Sequence, residues 1–117
     1  MTPLGDVQFE TIDDVVVARL QGEIDMSNAD DLGAAITARV SSDAVGLVLD
    51  LGAVDYLDSA GIHVMFELRD RLTRRGQEIR LVLRPEAPIA TALRYADVPR
   101  ALGAAETVTD AIADLTD

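Results

Sequence analysis

The chain has 117 residues, 21 aspartates and glutamates against 10 basic residues, a formal charge of −11 and no cysteine. That length fits one compact domain, and that charge opposes unassisted binding to nucleic-acid phosphate or to an anionic membrane. All ten basic residues are arginine, so a phosphate-loop lysine, a Schiff base and a lysine general base are excluded; the lack of cysteine excludes disulfides, thiol catalysis and thiolate metal sites.

The opening residues Met1-Thr2-Pro3-Leu4-Gly5-Asp6 lack the basic and long apolar parts of a secretory signal, and no later stretch has the unbroken apolar length of a membrane span. A cytoplasmic location is the resulting expectation. No repeat, linker or low-complexity tract interrupts the chain, so residues 1–117 are expected to form a single domain with its core at about 7–115.

Val7 to Ile12 and Val15 to Leu20 read as strands joined by a tight turn at Asp13-Asp14, which makes them an antiparallel hairpin. Gly22-Glu23-Ile24-Asp25 breaks the strand pattern, with Gly22 as a structural turn residue. Ser27-Asn28-Ala29-Asp30 has the spacing of a helix start and a capping box, with aspartate in place of the preferred glutamate. Ala29, Leu32, Ile36 and Val40 then recur at helical intervals and define a buried stripe.

Val45 to Leu51 carries too many consecutive apolar residues for an exposed strand and reads as a central parallel strand covered on both faces. Gly52 to Asp58 is expected to be a connection in which Val54 and Leu57 plug the sheet end. A second helix runs from Ser59 to Arg74 or Arg75, with Gly76 as its stop. Ile62, Met65, Phe66, Leu68 and Leu72 share its inner arc, whereas His63, Glu67, Asp70, Arg71 and Arg74 face outward.

Glu78 to Leu83 gives another strand, Pro85-Glu86-Ala87 introduces a short helix through Tyr95, Ala105 to Val108 reads as an edge strand, and Asp110 to Leu115 as a terminal helical turn or two. The fold class is therefore α/β: a mixed, mostly parallel sheet of four to five strands with an N-terminal antiparallel hairpin, packed by about four helices. Periodicity leaves open whether both faces of the sheet are covered by helices.

The most informative run is Leu49 to Ile62, where an apolar strand passes through polar residues into a helix and presents Ser59 at the join. A serine there serves as a cap, a nucleophile or a phosphate acceptor. Nucleophilic catalysis needs a base, and no lysine or suitably spaced histidine supplies one, since His63 falls on the outward face. A helix N-terminus, by contrast, tolerates a phosphate through its free amides and dipole. A lone surface histidine does not make a metal site, and no metal or cofactor is expected.

Two stretches, Leu20-Gln21-Gly22-Glu23-Ile24-Asp25 followed by Asn28-Ala29-Asp30-Asp31-Leu32, and Leu49 to Ile62 centred on Asp58-Ser59-Ala60-Gly61, resemble the STAS family and within it the SpoIIAA-like bacterial anti-sigma factor antagonists. The likeness extends over almost the whole chain. It implies a non-enzymatic partner-switching protein that regulates transcription. The unphosphorylated form would bind an anti-sigma factor of the GHKL serine-kinase type and free the sigma factor, phosphorylation would end binding, and a PP2C-type phosphatase would restore it.

The resemblance assigns Ser59 as phosphate acceptor and Asp25, Asp58, Ala60, Gly61 and His63 to the partner-binding switch. Ala60 replaces a second serine found in many relatives. Direct nucleic-acid binding and membrane insertion are not expected, and the oligomeric state implied is monomer or weak dimer. The alternative within the same resemblance is a scaffold subunit of a stress-signalling complex or of a lipid-transport ABC system.

Overall fold

The structure is a computed structural model and describes residues 5–116. The segment Met1 to Leu4, read above for a leader, lies outside the described residues, as does Asp117. Among the described residues, five strands form one sheet in the order β1-β2-β3-β4-β5: β1 Asp6–Ile12, β2 Val15–Ile24, β3 Gly46–Leu57, β4 Glu78–Val82 and β5 Ala104–Ala105. The helices are α1 Ala29–Arg39, α2 Ser59–Arg74, α3 Ala90–Tyr95, α4 Val98–Leu102 and α5 Val108–Thr116. β1 and β2 pair antiparallel and every other neighbouring pair is parallel.

Asp13 and Asp14 close the hairpin with φ of 52° and 63°. Both lie in the left-handed region, the geometry that matches the twist of two antiparallel strands, and aspartate enters it more readily than most residues. The central strand segment behaves as its composition predicts. Leu47, Leu49 and Leu51 point to the face covered by α1 to α4, while Val48 joins Val15 and Val17 on the face covered by Ala111, Ile112 and Leu115 of α5. Burial of each such side chain contributes about 1.5–3 kcal/mol. The terminal helix thus closes the face that periodicity had left undecided.

Several expected boundaries are corrected. β2 does not stop at Leu20 but continues to Ile24, and β3 runs through Gly52 to Leu57, so the expected connection after Leu51 is strand. Gly22 is accordingly no turn after a strand; it sits inside β2 with φ of 81°, beside a register irregularity between Gly22 and Glu23. A left-handed residue at a bulge is a position that glycine fills without steric cost. Helices number five among the described residues, because Val98–Leu102 is helical with proline in its first turn, where a missing N–H leaves no bond unmade. The last strand is confined to Ala104–Ala105 and the last helix begins at Val108.

The extended strands position everything that follows. β3 pairs with β4 only as far as Asp50↔Val82, whereas its pairing with β2 continues to Ile24↔Leu57. A two-stranded ribbon therefore runs past the β3–β4 ladder and delivers the residues that follow each strand, Asp25 and Asp58, to the same end. Val54 and Leu57 are buried along this ribbon, as expected.

Candidate functional site at the start of the second helix

Asp58 is the N-cap of α2. Its backbone is extended, and its Oδ1 accepts the backbone N–H of Ala60 at 2.9 Å and of Gly61 at 3.3 Å. Its backbone N–H donates to Ile24 O at 3.2 Å, which continues the β2–β3 pairing into the cap. The other carboxylate oxygen, Oδ2, accepts the N–H of Met26 at 3.3 Å. One side chain thus ends β3, starts α2 and ties both to the turn after β2.

Because Asp58 supplies the cap, Ser59 has no capping work to do. It is the first helical residue, it is exposed, and its hydroxyl makes no hydrogen bond to another described residue. Ser59 stands at the positive end of the helix dipole, which lowers the energy of an anion, while the amides of Ala60 and Gly61 are already bonded to Asp58.

Asp25 follows β2 directly. Its carboxylate accepts both the hydroxyl of Ser27 and the Ser27 backbone N–H, the latter at 2.9 Å. The hydroxyl bond, and then the backbone bond, hold its pKa below the ordinary aspartate value, against a smaller upward push from desolvation. Asn28 completes the turn, accepting from Asp25 N at 3.0 Å and donating to Glu23 O at 2.9 Å.

The expected capping box of Ser27 and Asp30 does not form. Asn28 occupies the cap position of α1 without capping through its side chain, and the Ser27 hydroxyl is turned back to Asp25. Neither Asp25 nor Asp58 hydrogen-bonds to Ser59; the carboxylates order the two loops that flank it.

Gly61 is buried at the start of α2. A Cβ there would lie 2.7 Å from Leu57 Cδ1 and 3.1 Å from Ile24 Cγ2, so the missing side chain lets α2 settle on the ribbon tip. Ala60 is half-buried against the core. His63 is on the solvent face as expected, paired with Glu67 one turn along. Among the described residues, no group of three or more histidine, aspartate or glutamate side chains is placed to hold a metal, and no helix is long and apolar enough to cross a membrane.

Sequence reasoning passed over Met26. It is 83% exposed and its backbone N–H donates to Asp58, the residue before Ser59, an unusual position for a large apolar side chain. The available signal was its placement inside the otherwise polar run Asp25-Met26-Ser27-Asn28. Charge distribution is a second feature seen better in the fold: residues 1–58 hold twelve acidic and two basic side chains, residues 59–103 five and eight. Of the first group, Glu23, Asp25, Asp30, Asp31, Asp55 and Asp58 lie near the ends of β2 and β3 or in the first turn of α1, which gives the site an acidic surround.

A turn at the ribbon tip thus stands against a capped helix that begins with one free serine, and the sequence model of the STAS domain matches residues 6–111. The chain belongs to the STAS family, in its anti-sigma factor antagonist group. It is 35% identical over 78 residues, 66% of its own length and 67% of the relative's, to BtrV of Bordetella bronchiseptica, which is assigned by name as an anti-sigma factor antagonist.

Among solved structures it superposes on an anti-sigma factor antagonist from Mycobacterium paratuberculosis with a TM-score of 0.85, at 28% identity and covering 97% of this chain and 96% of that one. It shares its fold with the phosphorylated form of the Bacillus cell-fate determinant SpoIIAA: TM-score 0.66, 21% identity, 94% of this chain and 99% of that one.

Proposed function

We propose that this chain is an anti-sigma factor antagonist and that Ser59 is its phosphate acceptor. The unphosphorylated protein binds an anti-sigma factor of the GHKL serine-kinase type and releases the sigma factor. The kinase transfers phosphate from ATP to Ser59 and dissociates; a PP2C-type phosphatase resets the switch. The chain is the substrate of that transfer, and the ATP site and catalytic groups belong to the partner. Cytoplasmic action follows from the same reading.

One observation carries the assignment: the Ser59 hydroxyl is exposed and free because Asp58 has taken over the cap. A serine needed as a cap would lose its helix-stabilising bond on modification, whereas this one is modified without disturbing the helix start. A phosphate adds a charge of about −1.5 to −2 near neutral pH. It does so beside Asp25 and Asp58, on a face whose acidic surround fits a basic partner surface. Added repulsion and desolvation at that interface end binding, with the fold unchanged.

Incubation with purified candidate kinases and ATP, followed by mass-spectrometric site mapping, tests the assignment. Phosphate on Ser59 alone is the expected result, and labelling retained in Ser59→Ala would remove it.

A further inference from the structure

We infer that Met26 is a second modification site on the switch face, one that responds to peroxide and acts without phosphate. The inference rests on the partner-binding reading above and extends it to a residue that reading does not use.

The chain has three methionines and no cysteine. Met65 is 2% exposed in the core, whereas Met26 is 83% exposed. Thioether oxidation follows access, and no thiol is present to consume the oxidant first. Exposure alone would make Met26 a chemical curiosity; its place makes it consequential. Its backbone N–H is held by Asp58 Oδ2 at 3.3 Å, and its neighbour Ser27 is held by Asp25 through two bonds. The side chain is therefore presented from an ordered turn, next to the helix start that carries Ser59.

An exposed, large apolar side chain carried on a turn flanked by Asp25 and Ser27 and bonded through its backbone to Asp58 has the character of an interface anchor, an apolar contact in polar surroundings. In the reaction, the thioether sulfur attacks one oxygen of hydrogen peroxide. The O–O bond breaks, an S–O bond forms, and the second oxygen leaves as water after taking up a proton. Sulfur loses the two electrons that peroxide gains. The product is a polar, chiral sulfoxide, which methionine sulfoxide reductases reverse. Set into an apolar pocket of the partner, that S=O group would be desolvated without an assured donor, and the complex weakens.

The experiment treats the folded full chain with hydrogen peroxide and follows each methionine by peptide mapping. Cleavage after Arg19, Arg39 and Arg69 places Met1, Met26 and Met65 on separate peptides. The binding probe is the anti-sigma kinase that phosphorylates Ser59, titrated against unmodified, oxidised, Met26→Leu and Met26→Gln proteins without ATP.

Met26 is expected to oxidise at least about tenfold faster than Met65. The sulfoxide and Met26→Gln are expected to bind about tenfold or more weakly, and Met26→Leu to bind within about threefold and to resist peroxide. Comparable oxidation of Met26 and Met65 overturns the inference, as does unchanged affinity of the sulfoxide. Equal loss of affinity in peroxide-treated Met26→Leu overturns it too, since oxidation elsewhere would then be the cause. If no kinase binds the unmodified chain, the proposed function fails, and the regulatory role of Met26 falls with it however fast the sulfur oxidises.

Discussion

Met26 and Asp58, brought together from the ends of two adjacent parallel strands, are joined by a backbone N–H donated to a carboxylate oxygen at 3.3 Å. The bond closes the gap between the turn after β2 and the cap of α2. It makes one continuous surface of two segments far apart in sequence, and it fixes the environment of the serine beside them.

Ser59→Ala should leave stability unchanged within about 0.5 kcal/mol, because the hydroxyl is exposed and bonds to no described residue. The same substitution should abolish phosphate incorporation and retain kinase binding. Ser59→Asp should weaken the complex. Urea denaturation measures the first outcome, and mass spectrometry with a binding titration measures the others.

Asp58→Ala should behave in the opposite way. It removes the acceptor for Ala60 and Gly61 N–H and for Met26 N–H, at a cost of about 1–2 kcal/mol for the lost cap. Asp58→Asn keeps a side-chain oxygen in place and should recover most of that loss. Amide exchange at Ala60 and Gly61 should accelerate in the alanine variant and remain slow in the asparagine variant.

Gly61→Ala should destabilise the fold by about 1–3 kcal/mol through overpacking, since its Cβ would crowd Leu57 Cδ1 at 2.7 Å and Ile24 Cγ2 at 3.1 Å. Leu57→Val in the same chain, by shortening one of the obstructing side chains, should restore part of the difference. Thermal unfolding of the two single variants and the double variant gives the coupling between them.

Ser27→Ala should raise the pKa of Asp25 toward its ordinary value, because the hydroxyl is the largest cause of the present depression. The sign is fixed by the depressed pKa of the folded state: the interaction stabilises the fold above the unfolded-state value of about 3.9 and is lost as pH falls through the lower folded-state value. The stability of Ser27→Ala should therefore differ from the parent at neutral pH and converge with it in strong acid. A carboxyl-carbon NMR titration of Asp25 reads the shift directly.

The hairpin turn, the α1 stripe, the apolar centre of β3, the amphipathic α2 and its Gly76 stop were all legible from residue order, because each depends on neighbours within a turn or two. The ends of β2 and β3 were not. Gly22 and Gly52 look like breakers, and only the pairing of each strand with the other carries them on to Ile24 and Leu57. The same dependence hid the cap. Asp58 and Ser59 are both good N-cap residues, and the backbone geometry imposed by the ribbon assigned the role to Asp58.

Sequence by itself determined that this protein is an α/β domain with an acidic surface, without thiol or lysine chemistry, and with one serine at a strand-to-helix join. Those properties reside in composition and local periodicity. The tertiary structure decided that the serine is free, that Asp25 and Asp58 organise loops instead of bonding to it, and that Met26 is tied to the cap of the helix that carries it. Such outcomes depend on which strand ends meet, and strand register is a long-range property that no short window of residues contains.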